Sequence, residues 1–307
     1  MLVRGPIGRP MTIPLVVIRN PTAGRRRERF FRRIIKKIER QGVDVALMET
    51  THAGHAEQLA RLAVEQGCMA VVAAGGDGTI NEVINGMVTA GAADHGVPLG
   101  IIPLGTANVL AVEMSLPSSS LGIARAITNG VAAPLALGEL NGRYFVMMAG
   151  AGFDAHVVKG VNLGIKRRFG RLAYGLSILQ EAFCNTKRRY RVECDGEVYE
   201  AASVIVTNGR NYGGPFLLAS RANLMTPTLE LCLFEGDGAL NVFRYLIALG
   251  LGRLSDLSDF SSRPAKHLRI YGENGEPLQV DGDSQGQLPA EIRAADTGLK
   301  VLYSRWS

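Results

Sequence analysis

The apolar run Met69-Ala70-Val71-Val72-Ala73-Ala74 ends directly on Gly75-Gly76-Asp77-Gly78-Thr79, and Ile80-Asn81-Glu82-Val83-Ile84 opens a helix behind it. A buried strand feeding a glycine-rich turn and then a helix brings bare backbone N–H groups to one point, which suits a phosphate. The glycines allow close approach, and the carboxylate can hold a cation beside the phosphate charge. Gly-Gly-Asp-Gly is also ordinary turn chemistry, so its surroundings decide, and they repeat the unit. Pro14 to Ile18 reads as a short strand closed by Asn20-Pro21-Thr22-Ala23-Gly24. Arg29 to Gln41 reads as a helix with Phe30, Phe31, Ile34, Ile35 and Ile38 on one face. Val43 to Met48 is the next strand and His55 to Gln66 the next helix. After a helix to about Ala90, Leu99 to Ile102 reads as a strand closed by Pro103-Leu104-Gly105-Thr106-Ala107-Asn108. Repeated β-α units predict a parallel, doubly wound sheet with ligands at the carboxyl ends of its strands.

From about Leu135 the texture changes. Tyr144 to Met148, Arg189 to Cys194, Ala202 to Thr207, Leu229 to Phe234 and His267 to Tyr271 are strand-like runs separated by turns. Strands without regular intervening helices predict an antiparallel sandwich or barrel. Two helical stretches interrupt them, Gly170 to Cys184 and Asn241 to Gly252. The apolar stretch from Val242 to Leu251 either caps the sandwich or lies as an anchor at a membrane interface. The expected architecture is an α/β domain with a doubly wound parallel sheet at 11–134 and an antiparallel β-sandwich at 135–296. Residues 297–307 form a last strand able to return to the first domain or stay with the second.

A chain of 307 residues accommodates two domains. A net charge of +6 and a pI near 9.3 favour anionic partners. Aromatic residues make up 6% and do not interleave with basic ones, which argues against nucleic acid. Cys68, Cys184, Cys194 and Cys232 are scattered, with no CxxC pair, and read as reduced thiols of a cytosolic protein. His52, His55, His95, His156 and His267 have no metal-ligand spacing. No apolar run approaches the ~20 residues of a membrane-spanning helix, and the start has no apolar core of a signal peptide. The expected location is cytoplasmic, with peripheral contact to the inner face of the membrane. The P-loop ending Gly-Lys-Ser/Thr is absent. Gly150-Ala151-Gly152-Phe153-Asp154-Ala155 fits a loose dinucleotide pattern but lacks the acidic partner expected ~20 residues later.

Taken together, five motifs in order carry a resemblance. They are Asn20-Pro21-Thr22-Ala23-Gly24, Gly75 through Glu82, Pro103 through Asn108, Gly152-Phe153-Asp154-Ala155 and Val280-Asp281-Gly282-Asp283. From Met11 onward the chain resembles the diacylglycerol kinase-like lipid kinases, the superfamily that also holds sphingosine and ceramide kinases. The resemblance implies an N-terminal nucleotide domain, a C-terminal β-sandwich and a cleft between them for ATP and a lipid alcohol. It implies that Asn20, Pro21, Thr22, Ala23 and Gly24 contact the phosphates and that Thr50 and Thr106 touch the nucleotide. Gly75, Gly76, Asp77, Gly78, Thr79, Ile80 and Asn81 would wrap the ATP phosphates. Asp281, Gly282 and Asp283 would meet the phosphoryl group from the second domain, with Asp77 and Asp281 as ligands of Mg²⁺. Asp154 matches a position facing the lipid headgroup. Asp283 stands at the family's usual glutamate position and is the expected base, with Asp77 as the competing one. Val109 follows Asn108 where many bacterial members carry aspartate. Thr226-Pro227-Thr228 replaces an Asp-Gly turn that holds a structural Mg²⁺ in several relatives, so that second metal is not expected.

Arg25-Arg26-Arg27 with Arg29, Arg32, Arg33, Lys36, Lys37 and Arg40 form the densest basic cluster. Most such side chains are a solvated helix face. The alternative is attraction to anionic headgroups, at about 1 kcal/mol per basic residue near the surface. Lys166-Arg167-Arg168 and Lys187-Arg188-Arg189 add similar patches, and Asn208 through Gly214 is either a long turn or a wall of the substrate pocket. The expected partners are a lipid alcohol and an anionic membrane surface, without nucleic acid, and a homodimer is compatible with the sequence. An NAD kinase and a catalytically degraded lipid- or nucleotide-binding regulator are the rival readings.

Overall fold

The computed structural model describes residues 14–23, 27–152 and 189–304. The first half runs β1 (Leu15–Arg19), α1 (Glu28–Glu39), β2 (Val45–Glu49), α2 (His55–Glu65), β3 (Ala70–Gly75), α3 (Asp77–Thr89) and β4 (Leu99–Pro103). Then come α4 (Val109–Glu113), α5 (Ser120–Asn129) and β5 (Val131–Pro134). β1 pairs in parallel with β2 on one side and with β3 on the other, and β3 pairs in parallel with β4. The winding direction therefore reverses between β1 and β3. Their outgoing loops diverge there and leave a crevice at the carboxyl ends, where open α/β sheets bind ligands.

Both faces of this sheet are covered. Phe31, Ile34 and Ile38 of α1 and Ile123 and Ile127 of α5 pack on Leu15, Val17, Val72 and Ile102. Ala60 and Val64 of α2 and Ile80, Ile84 and Met87 of α3 pack on Ile18, Val71 and Ala73 opposite. Burying a side chain of this size contributes about 1.5–3 kcal/mol. This accounts for the near-continuous apolar strands, as a sheet covered on both faces has no polar side.

The second half comprises β6 (Leu137–Leu140), β7 (Arg143–Phe145), β8 (Met148–Ala151), β9 (Tyr190–Cys194), β10 (Glu197–Ala201) and β11 (Ser203–Thr207). It continues with β12 (Asn211–Tyr212), β13 (Phe216–Leu217), β14 (Leu229–Phe234), α6 (Gly238–Gly250) and β15 (Phe260–Ala265). Last come β16 (His267–Tyr271), β17 (Pro277–Val280), β18 (Asp283–Gln287), β19 (Ala290–Ala295) and β20 (Lys300–Tyr303). Two sheets, β10-β9-β16-β19-β6-β7 and β15-β14-β11-β8-β17-β18, enclose Phe145, Val192, Val204, Val206, Leu231, Ile270, Leu278 and Ile292. The expected sandwich is present. The single strand expected at Tyr144 to Met148 is instead β7 and β8, divided at Val146 and Met147. The backbone N–H groups of those two residues go to the Asp281 carboxylate.

The last strand returns to the first sheet. β20 lies parallel to β4 and antiparallel to β5, with Val301 opposite Leu99 and Ala133. The helix expected at Asn241 to Gly252 is α6, and it has two apolar faces. Val242, Tyr245, Ala248 and Leu249 are buried against the sandwich, with the Tyr245 ring edge-on to Phe234 at 5.1 Å. Leu240, Phe243, Ile247 and Leu251 stand exposed on the other side, Leu240 at 81% and Leu251 at 69%. Burial and the Asp259 carboxylate push the Tyr245 hydroxyl up to about 12. The thiols of Cys68 and Cys194 are buried and pushed up to about 11, and Cys184 lies outside the described residues. The expected helix at Gly170 to Cys184 also lies outside them, as do the patches at 166–168 and 187–188. Among the described residues no helix is long and apolar enough to cross a membrane.

Candidate active site

At the switch point the turns after β1, β3 and β4 interlock through backbone. Leu104 N–H and Gly105 N–H both donate to the Gly75 carbonyl, at 2.9 and 3.2 Å. A Cβ on Gly75 would stand 2.5 Å from Thr79 Oγ1, and one on Gly105 would stand 2.6 Å from Gly76 Cα. Only glycine permits either approach. Gly76 and Gly78 leave a cradle instead. The nearest atoms to a Cβ there would be Gly105 Cα at 3.5 Å and Asp283 Oδ2 at 3.6 Å. Gly76 precedes α3 in an extended conformation, and no side chain caps the first turn. The leading N–H groups of α3 and their positive end charge thus face the cradle.

Asn20 fastens the first turn to the second. Its Nδ2 donates to Thr79 Oγ1 at 3.2 Å, and its N–H donates to the Ala74 carbonyl at 3.0 Å. Its Oδ1 accepts from Thr22 N–H at 3.0 Å, Thr22 Oγ1 at 2.7 Å and Ala23 N–H at 3.3 Å, which holds Pro21 in a closed turn. Thr50 follows β2 and donates its N–H to the Arg19 carbonyl at 2.9 Å, so it borders the same edge. Thr106 is exposed on the turn after β4. Gly24 and Asp154 lie outside the described residues.

Asp77 does local structural work. Its Oδ1 accepts the Val109 N–H at 2.7 Å and caps α4, whose preceding residue Asn108 adopts φ 52°. Burial pushes the Asp77 carboxyl above the ordinary range, while the N–H groups of Val109, Leu110 and Asn108 oppose that shift. Glu82 from the same motif caps α2, accepting the Ala56 N–H at 3.1 Å.

The sandwich enters through Asp281-Gly282, a two-residue turn with φ 48° and 84° that closes the β17–β18 hairpin. The Asp281 carboxylate is half-buried. Oδ2 accepts from Asn81 Nδ2 and Val146 N–H, both at 2.9 Å, and Oδ1 accepts from Met147 N–H at 2.8 Å and Met148 N–H at 3.0 Å. Burial pushes this carboxyl up against the pull of those donors. A carboxylate offers about four lone-pair positions, and four donors occupy them. The expected metal ligand is therefore a staple between the two halves, with no position left for Mg²⁺ in this arrangement. Asn81 and Asn85 complete the junction: both donate to the Tyr144 carbonyl, at 3.1 and 3.0 Å, and Asn85 Oδ1 accepts the Tyr144 N–H at 3.0 Å. Two residues beyond Asp281, Asp283 is exposed and lies against Gly78.

Sequence reasoning missed Asn85 and Tyr144, and also Glu113, whose carboxylate accepts from Arg210 and Asn211. Their partners lie 59 to 98 positions away, so no local pattern marks them. Among the described residues no three His, Cys, Asp or Glu side chains converge as a metal-binding group.

Residues 14–140 match the diacylglycerol kinase catalytic domain, and residues 147–303 match the YegS C-terminal NAD kinase beta sandwich-like domain. The chain is 29% identical over 280 residues to a diacylglycerol kinase of Bacillus subtilis, covering 90% of this chain and 91% of the relative. It is 30% identical over 282 residues to a diacylglycerol kinase of Mycobacterium tuberculosis, covering 88% of each. The crystal structure of a diacylglycerol kinase from Bacillus anthracis superposes with a TM-score of 0.78 at 22% identity, over 96% of this chain and 99% of that one. That last likeness concerns the fold.

Proposed function

The chain belongs to the diacylglycerol kinase family and is a lipid kinase, and from that premise we propose that it transfers the γ-phosphoryl group of ATP to a lipid hydroxyl at a membrane surface. The observation that carries this reading is the convergence at Gly78: the N-terminus of α3 comes from one half and the Asp283 carboxylate from the other. Phosphoryl transfer depends on positioning and charge stabilisation more than on covalent help. Backbone N–H groups at Gly76 and Gly78 receive the phosphates, and Asn20 holds the neighbouring turn in place. Magnesium, when bound, draws charge off the phosphates. Asp283 accepts the proton of the attacking hydroxyl, since its exposed carboxylate reaches the Gly78 turn from the sandwich half. Thr50 and Thr106 border the nucleotide, and Asp154 keeps the headgroup role that the family resemblance implies.

The membrane surface is supported by two features. Leu240, Phe243, Ile247 and Leu251 form an exposed apolar stripe on α6, and Arg32, Arg33 and Lys36 are exposed on α1. A panel of vesicles holding diacylglycerol, a sphingoid base or a ceramide, incubated with γ-labelled ATP and Mg²⁺, tests the reading. Label should appear on a lipid alcohol and disappear when Mg²⁺ is chelated. Label on NAD, or ATP binding without transfer to any lipid, would overturn it.

A further inference from the structure

Glu113 ends α4, the short helix whose first N–H is held by Asp77. Its Oε1 accepts the Arg210 N–H at 2.7 Å, and its Oε2 accepts Asn211 N–H at 3.2 Å and Asn211 Nδ2 at 2.7 Å. These are charge-assisted bonds, the stronger kind. From the other side, Leu218 N–H and Ala219 N–H donate to the Arg210 carbonyl at 2.9 and 3.0 Å. Gly209 is wedged between: a Cβ there would stand 2.4 Å from Met147 Cε and 3.2 Å from Glu113 Cδ. The loop 208–214 is thus fastened at its middle to the nucleotide half, although it grows from the sandwich.

The loop also emerges beside the catalytic turn. β11 and β17 flank β8, with Thr207 opposite Met148 and Val280 opposite Ala149. The segments after Thr207 and after Val280 therefore leave the sheet side by side, around Met147. Asn208 N–H donates to the Met147 carbonyl at 2.7 Å, and Met147 N–H goes to Asp281. The contacts close into a ring: Asp77 to Val109, along α4 to Glu113, across to Arg210 and Asn211, back through Asn208 to Met147, to Asp281, and by Asp283 to Gly78.

We infer that Glu113 is a positioning residue for the acceptor. Its carboxylate registers the loop 208–214 against the phosphate turn, so that this loop forms the wall holding the lipid hydroxyl toward Asp283. This rests on the lipid kinase reading above.

The test is a kinetic split with ATP and the lipid varied separately on mixed vesicles, together with hydrogen exchange. Glu113→Ala should raise the lipid KM by roughly tenfold or more while the ATP KM stays within about twofold. Exchange at the Arg210 and Asn211 amides should accelerate while β3 and α3 stay protected. Glu113→Gln turns an NH₂ toward one of the donors and should fall between the parent and Glu113→Ala. Asn211→Ala removes one bond and should give a smaller rise, and adding it to Glu113→Ala should do no further harm. An unchanged lipid KM, or an ATP KM that rises in parallel, would overturn the inference. If Glu113→Ala does not fold, Glu113→Gln and Asn211→Ala decide by the same criterion. A parent enzyme that labels no lipid sinks the functional reading instead, and the exchange rates at 210 and 211 then judge the latch alone.

Discussion

On the α/β side the candidate site is lined by backbone: Gly75, Gly76, Gly78 and Gly105 pack turn against turn, and side chains serve to cap and fasten. Where the two halves meet, side chains from both make the contacts. Asp281 gathers four donors, Asn81 and Asn85 take both backbone polar groups of Tyr144, and Glu113 holds Arg210 and Asn211. The difference follows from what each edge must do. A phosphate cradle needs N–H groups without a Cβ in the way, whereas joining two halves needs acceptors that reach across a gap. The two carboxylates of one hairpin show the consequence. The Asp281 carboxylate is half-buried and holds four donors, and Asp283 is exposed at the cradle two residues later.

The largest effect expected from breaking this contrast lies at Asp77. Asparagine keeps an oxygen for the Val109 N–H, so Asp77→Asn should fold and bind ATP but lose at least about 10³-fold in turnover as the charge at the phosphates disappears. Burial holds the Asp77 carboxyl above the ordinary range. Near-parental turnover in a folded Asp77→Asn would reduce Asp77 to a helix cap.

Next comes the staple. Asp281→Ala leaves the N–H groups of Val146, Met147 and Met148 and the Asn81 amide without their acceptor. Each unsatisfied buried donor costs about 1–3 kcal/mol, so a loss of roughly 3 kcal/mol or more is expected in denaturant unfolding. A loss under about 1 kcal/mol would mean that the remaining contacts, such as Asn85 with Tyr144 and Glu113 with Asn211, join the halves without this carboxylate.

The smallest effect on the fold is expected at the exposed stripe of α6. Leu240→Ser with Phe243→Ser should leave stability within about 0.5 kcal/mol per site, because both side chains stand in solvent. Sedimentation with anionic vesicles should drop severalfold. Unchanged sedimentation would assign the docking to the basic face of α1 or exclude both.

The same contrast explains what the sequence disclosed. The backbone-built edge was legible because close approach forces glycine, and glycine clusters behind apolar strands stand out: Gly75 through Gly78 and Gly105 lie where their motifs place them. The other edge was legible only as residues, not as roles. Asp281 looked like a metal ligand, because a carboxylate's partners 133 to 200 positions away leave no local trace. The break between β7 and β8 was hidden for the same reason: Val146 and Met147 are as apolar as a strand requires, and a remote carboxylate takes their N–H groups. The return of β20 to the first sheet was likewise open, since Leu299 to Tyr303 would pack in either half.

The central claim, that the two halves meet at Gly78 for phosphoryl transfer, is tested most directly at Asp283. Single-turnover transfer to a vesicle-borne lipid alcohol and equilibrium ATP binding should be measured on the parent, Asp283→Asn and Asp283→Glu. Asp283→Asn should lose about 10²- to 10⁴-fold in the transfer rate with ATP affinity nearly unchanged, and Asp283→Glu should keep substantial activity. A transfer rate near the parent's in Asp283→Asn, or a loss of ATP affinity in proportion to the rate, would contradict it.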